Sequence, residues 1–160
     1  MAGYRLASGG RIDRSRPLSF TFDGRQYEGF AGDTLASALL ANGVSLFGRS
    51  FKYHRPRGVL SAGIEEPNAL VGTDRGNGRF EPNTRATMVE IYEGLTASSQ
   101  NRWPSLALDM GAGVAALAGL LPAGFYYKTF MWPRAFWDRV YEPIIRNAAG
   151  LGVSPTEPDA

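Results

Sequence analysis

The pair Asp23-Gly24, set inside LSFTFDGRQYEGF, limits the fold of this chain more than any other feature. Leu18, Phe20 and Phe22 alternate with Ser19 and Thr21, the period of a strand with one buried face. Asp-Gly supplies the two positive-φ residues of a type I′ turn, so a β-hairpin is expected from Leu18 to Phe30. GDTLASALLANG comes directly after it. Asp33 or Thr34 can cap a helix start, and Gly43 can take the left-handed position after its end. Leu35, Ala38, Leu39 and Asn42 share one face, which predicts a helix laid across the hairpin. Further strands are expected at Val44–Phe47, Ala69–Thr73 and Thr84–Ile91. A hairpin, a crossing helix and then more strands is the order of a β-grasp domain, an α+β fold.

The composition removes whole classes of chemistry. Among 160 residues there is no cysteine and one histidine. Disulfides, thiol catalysis, zinc–thiolate centres, cysteine-held iron–sulfur clusters and multi-histidine metal sites are therefore excluded. MAGYRLASGG lacks the apolar core of a secretory signal, and Leu106–Leu121 is too short and too interrupted to cross a bilayer. A cytoplasmic protein without a membrane partner is the expectation. The net charge is only +2 but uneven: residues 1–64 carry nine Lys/Arg against four Asp/Glu, and residues 65–160 carry eight against eleven.

These shifts divide the chain into four stretches. Residues 1–17 read as a flexible Gly/Ser/Arg arm, 18–100 as the β-grasp domain, 101–152 as a helical, aromatic-rich extension, and 153–160 as a linker toward a missing downstream domain. Within the extension, SLALDMGAGVAALAGLLPAG is helix-like and rich in small residues, and a second helix is expected from Arg134 to Ala148. Eight aromatic residues between Phe125 and Tyr141 are too many for the segment to hide alone.

No stretch forms a catalytic constellation. GAGVAA, Gly111 to Ala116, matches the dinucleotide pattern G-x-G-x-x-A, but no strand precedes it, Pro122 breaks the helix after it, and no acid stands near position 130. It reads as a helix-packing patch. RSFKYHRPRG gathers Arg49, Lys52, His54, Arg55 and Arg57 among Phe51 and Tyr53. This segment fits three readings: a structural loop whose arginines satisfy carbonyls, an anion or protein-partner contact, or a single-strand nucleic-acid groove. His54 has no nucleophile elbow near it and reads as structural. Glu65-Glu66 reads as turn-capping or arginine-pairing rather than as an acid–base pair. Asp74 and Asn77 read as turn residues, since the spacing lacks the closing glutamate of a calcium loop. Catalytic, cofactor-binding and metal residues are accordingly expected to be absent from this chain.

Taken together, GDTLASALLANG, RSFKYHRPRG, GIEEPNAL, FYYKTFMWP and IRNAAGLG resemble, in this order, the N-terminal region of heterotetrameric sarcosine oxidase alpha subunits. The related alpha chains of N-methylglutamate dehydrogenase-type enzymes share these blocks. The resemblance implies a ferredoxin-like β-grasp domain whose relatives carry a 2Fe-2S cluster on cysteines spaced C-x4-C-x2-C, with a fourth further on. Those positions fall here at Ser61, Glu66, Ala69 and Thr87. None is a thiol, so the resemblance implies a cluster loop without its cluster.

The same resemblance implies a multi-subunit flavoenzyme containing FAD, FMN and NAD. It oxidises sarcosine to glycine, yielding formaldehyde or methylene-tetrahydrofolate and hydrogen peroxide. The partners it implies are the downstream alpha domains and the flavin-bearing beta, gamma and delta subunits. The residues present imply a structural and assembly role, with no catalytic site of their own. The rival is a free-standing nucleic-acid- or anion-binding module using the loop 49–57.

Overall fold

The computed structural model describes residues 4–113 and 133–148. Strand β1 (Asp13–Phe22) turns at Asp23 (φ 50°) and Gly24 (φ 77°) into β2 (Arg25–Ala31), as the Asp-Gly pair predicts. Phe20 lies opposite Tyr27, and Phe22 opposite Arg25. The strand begins earlier than expected. Asp13–Pro17, assigned from sequence to a flexible arm, already belongs to β1, with an irregularity in register between Asp13 and Pro17.

Helix α1 (Leu35–Ala41) crosses next. Thr34 Oγ1 accepts the Ser37 amide at 3.2 Å, and Ser37 Oγ accepts the Thr34 amide at 2.9 Å, a reciprocal capping box. Seven residues are too few for a helix to persist alone in water, so packing holds it. Leu35, Ala36, Ala38 and Leu39 are buried, and Asn42 donates through Nδ2 to the Glu28 carbonyl of β2 at 2.7 Å.

Val44–Phe47, expected as a strand, is irregular. Pairing starts one step later, in a two-stranded ribbon of β3 (Gly48–Arg49) and β4 (Pro56–Arg57). Strands β5 (Leu70–Asp74) and β6 (Phe80–Arg85) then form a hairpin, turned through Gly76 and Asn77 with Asp74 Oδ1 accepting the Gly76 amide. The strand expected at Thr84–Ile91 is thus displaced toward the turn, leaving Glu90 in an isolated bridge to Thr34.

The strand absent from the sequence reading is the central one. β7 (Thr96–Ser99) lies between β1 and β5, parallel to β1 and antiparallel to β5, giving the order β2-β1-β7-β5-β6. A mixed sheet with its last strand inserted beside the first, and a helix across it, is a β-grasp. The core lies between sheet and helix: Phe20, Phe22, Leu35, Leu39, Phe47, Val71, Ile91 and Leu95 are all essentially inaccessible to solvent.

Beyond the domain, Ser105–Leu108 is irregular rather than helical, and a 3-10 turn spans Met110–Ala112. Arg134–Phe136 and Trp137–Tyr141 form 3-10 and π turns leading into α2 (Glu142–Ala148), so of the helix expected from Arg134 to Ala148 only the second half is regular α-helix. The expected helix through Leu121, most of the aromatic cluster and the terminal linker lie outside the described residues.

A loop closed by its own carboxylate

The loop Val59–Ala69 runs from β4 to β5 through a 3-10 turn at Gly63–Glu65. Three of the four positions that the resemblance assigns to cluster ligands meet inside it, at Glu66. The Glu66 side chain is fully buried. Its Oε2 accepts the amides of Leu60 and Ser61, both at 2.7 Å, and its Oε1 accepts those of Asn68 at 2.6 Å and Ala69 at 3.0 Å. Burial alone would raise its pKa. The amides of Ser61, Asn68, Ala69 and Leu60 outweigh that and hold it below the ordinary glutamate value. Thr87, the fourth position, donates from Oγ1 to the Gly63 carbonyl at 2.7 Å, so it too reaches this loop.

The donor set does not suit an iron–sulfur cluster. Ala69 offers a methyl group, the Thr87 hydroxyl is committed to Gly63, and both Glu66 oxygens are engaged by amides. Ser61 Oγ alone is buried without a hydrogen-bond partner, and one hydroxyl cannot replace four thiolates. No group of three or more His, Asp or Glu capable of holding a metal occurs among the described residues. Beside the loop lies a cavity of about 380 Å³, bordered by Ser37 and Leu40 of α1 and by Val59, Ser61 and Thr87.

The basic segment divides into two kinds of residue. Arg49 is nearly buried and faces inward. Its guanidinium donates to the His54 carbonyl at 2.9 Å and the Leu106 carbonyl at 2.7 Å, and its Nε lies 3.3 Å from Asp109 Oδ2 without hydrogen-bond alignment. His54 donates from Nδ1 to the same oxygen at 2.8 Å, and its ring lies so close over Gly111 that a side chain there would collide with it. Burial would raise the Asp109 pKa. The Trp103 amide, His54 and the Gly111 amide together lower it below the ordinary aspartate value. Arg57 donates to Asn68 Oδ1 at 2.6 Å, tying the ribbon to the Glu66 loop.

Of the five residues suggested for an anion or partner contact, Arg49, His54 and Arg57 are therefore occupied within the chain. Lys52 and Arg55 remain at the surface, each 5.0 Å from the centre of the Tyr53 ring. Of the two glycines of GAGVAA, Gly111 receives the His54 ring, Gly113 has open space where a side chain would stand, and residues beyond Gly113 lie outside the described part.

Asp109 and Arg5 carry structural roles that the sequence did not announce, and Asp33, a candidate helix cap by sequence, leaves the cap to Thr34. Asp33 is buried, and its carboxylate takes both terminal nitrogens of Arg5 at 3.1 and 2.6 Å, the Phe30 amide and the Ser37 hydroxyl. These bonds overcome burial and lower its pKa. The hairpin turn is similarly fastened. Asp23 accepts the amide and hydroxyl of Ser99 and one nitrogen of Arg102, joining the first turn to the end of the central strand.

Comparison with known proteins bears directly on this domain. Across 159 residues, 99% of this chain and 16% of the relative, it is 67% identical to sarcosine oxidase subunit alpha of Rhizobium meliloti (strain 1021). It is 47% identical over 57% of its length to sarcosine oxidase subunit alpha of Corynebacterium sp. (strain U-96), and 46% identical over 59% to that of strain P-1, covering 10% of each relative. The chain thus spans a small part of the curated relatives it matches, the N-terminal part of the longer chain. Among solved structures, L-proline dehydrogenase from P. horikoshii aligns with 57% of this chain and 17% of its own, at 22% identity and a TM-score of 0.44. Residues 15–102, more than half of the chain, match the family described as 2Fe-2S iron-sulfur cluster binding domain. With that match and the β-grasp sheet in agreement, the chain belongs to the 2Fe-2S iron-sulfur cluster binding domain family, and does so without a single cysteine.

Proposed function

We propose that this chain is the N-terminal structural and assembly module of a sarcosine-oxidase-type alpha subunit. The observation that carries this reading is the 67% identity over 99% of the chain to a sarcosine oxidase alpha subunit, in a family fold whose ligand loop here contains no thiol. On this reading the oxidative demethylation of sarcosine, with FAD, FMN and NAD, belongs to other domains and subunits of a heterotetrameric, cytoplasmic flavoenzyme. This chain transfers no electrons. It contributes a rigid β-grasp body and apolar surface for contact with downstream alpha domains and with the beta, gamma and delta subunits. Trp103, Leu108, Met110, Phe136, Trp137 and Ile144 all expose apolar area, as surface awaiting a partner would. The helical, aromatic-rich extension is part of that proposed contact surface.

Lys52 and Arg55 are the proposed charged contacts of the same assembly. The double variant Lys52→Glu/Arg55→Glu, made in the complete complex, should lower the yield of assembled, flavin-loaded enzyme while leaving the domain folded. Unchanged complex yield and flavin content would reject the basic loop as a partner contact. The nucleic-acid alternative is weaker, because Arg49 and Arg57 spend their guanidinium groups within the chain. It requires oligonucleotide binding that falls steeply with salt.

A further inference from the structure

We propose that Glu66 is the resident anion of a backbone-amide nest, standing where a member of this family with thiol ligands would hold its negatively charged cluster. The inference goes beyond the assembly reading, because it concerns what organises the loop whatever the domain docks against. Four amides, from Leu60, Ser61, Asn68 and Ala69, converge on one carboxylate from both ends of the loop. Successive amides turned toward one point create a concavity that favours negative charge, and iron–sulfur clusters are among the groups such nests hold.

The spacing explains how a side chain can fill it. Ser61, Glu66 and Ala69 match the C-x4-C-x2-C interval of plant-type ligands, so a residue at the middle position projects into the enclosed space. Glutamate at that position supplies a single negative charge with two oxygens, enough to accept two amides on each. An apolar residue there would leave all four N–H groups without their present acceptor. Glu66 thus does two things at once. It keeps the loop in its cluster-type shape, and it bars the space to exogenous anions or metal ions.

Hydrogen exchange on the 160-residue chain, read amide by amide by NMR, tests this without a substitution. Leu60, Ser61, Asn68 and Ala69 lie outside helices and strands. Their amides should nevertheless exchange on the order of 100-fold more slowly than open-loop amides. Exchange at open-loop rates would overturn the proposal. The second arm melts Glu66→Ala in sodium formate and in sodium chloride at equal ionic strength. Formate should raise the melting temperature of the variant and not that of the parent, because only the variant has an empty nest. A variant that melts like the parent, or that is folded yet indifferent to formate, contradicts the proposal. If the variant folds in neither salt, the exchange rates of the parent chain decide. None of these results depends on complex assembly, so failure of the nest and failure of the assembly reading are distinguishable.

Discussion

Glu66 and Asp109 are both buried carboxylates with depressed pKa values, but they are held by different kinds of partner. Glu66 is surrounded by neutral backbone amides from its own loop. Asp109 is held partly by charged or chargeable side chains, Arg49 and His54, far back along the chain. The first arrangement shapes a local loop and needs no second side chain to be present. The second staples the segment after the sheet to the ribbon before it, and it weakens when either partner is lost. An amide nest is therefore a fold device, whereas the Asp109 clasp is a tether between segments.

Substitutions should separate the two. Glu66→Ala leaves four amides without their acceptor and should cost about 3–5 kcal/mol in urea unfolding, the largest single effect in the loop. A loss under about 1 kcal/mol would mean that water or local movement replaces the carboxylate. Asp109→Asn keeps the shape but leaves Arg49 without its counter-charge, for an expected loss of roughly 2–3 kcal/mol. The segment around Trp103 to Gly111 should then become sensitive to proteolysis while the sheet stays protected. Protection of the two regions falling together would show that the tether and the domain form one cooperative unit.

Acid should erode both, and the difference between variants assigns the shares. A carboxylate with a depressed folded pKa contributes stability that is whole above its unfolded value and is lost as pH falls through the folded one. For Glu66 that loss begins below its ordinary value of 4.5, and for Asp33 and Asp109 below 3.8. Unfolding free energy should fall steeply below those values in the parent chain, and less steeply in Glu66→Gln. Parallel acid limbs would mean that Glu66 contributes no such linkage. The smallest expected effect is His54→Gln, about 1 kcal/mol, since one of several bonds to Asp109 is weakened and the Trp103 amide remains.

The sequence revealed those parts of the fold whose signals are local. The Asp23-Gly24 turn, the Thr34 cap and the buried Leu35, Ala38 and Leu39 of α1 each depend on residues within one turn or hairpin and stand where they were expected, while Asn42, expected on the same face, is exposed at the helix end. The central strand was hidden because Thr96–Ser99 is short, small and polar, and its place is set by pairing with β1 and β5 from far along the chain. Ser105–Asp109 resembled a helix by composition, yet Asp109 is drawn inward by the Trp103 amide and His54, a demand that periodicity cannot register. The candidate site was half legible. Its basic residues were visible as a cluster, but only geometry divides the surface pair Lys52 and Arg55 from the committed Arg49 and Arg57. Glu66 was visible only as one of two adjacent acids. A burial partner made of backbone amides leaves no mark in a sequence beyond the loop that supplies them.

The central claim, that this loop is a cluster-type fold organised by a carboxylate and unable to hold iron and sulfide, can be tested by anaerobic reconstitution. The chain would be incubated with ferrous iron, sulfide and a thiol reductant, desalted, and examined for bound iron, visible charge-transfer absorption and the paramagnetic signal of a reduced cluster. Iron far below one atom per chain and a featureless visible spectrum are the expected result. Two irons and two sulfides retained per chain, with the absorption and spin signal of a 2Fe-2S centre, would contradict it.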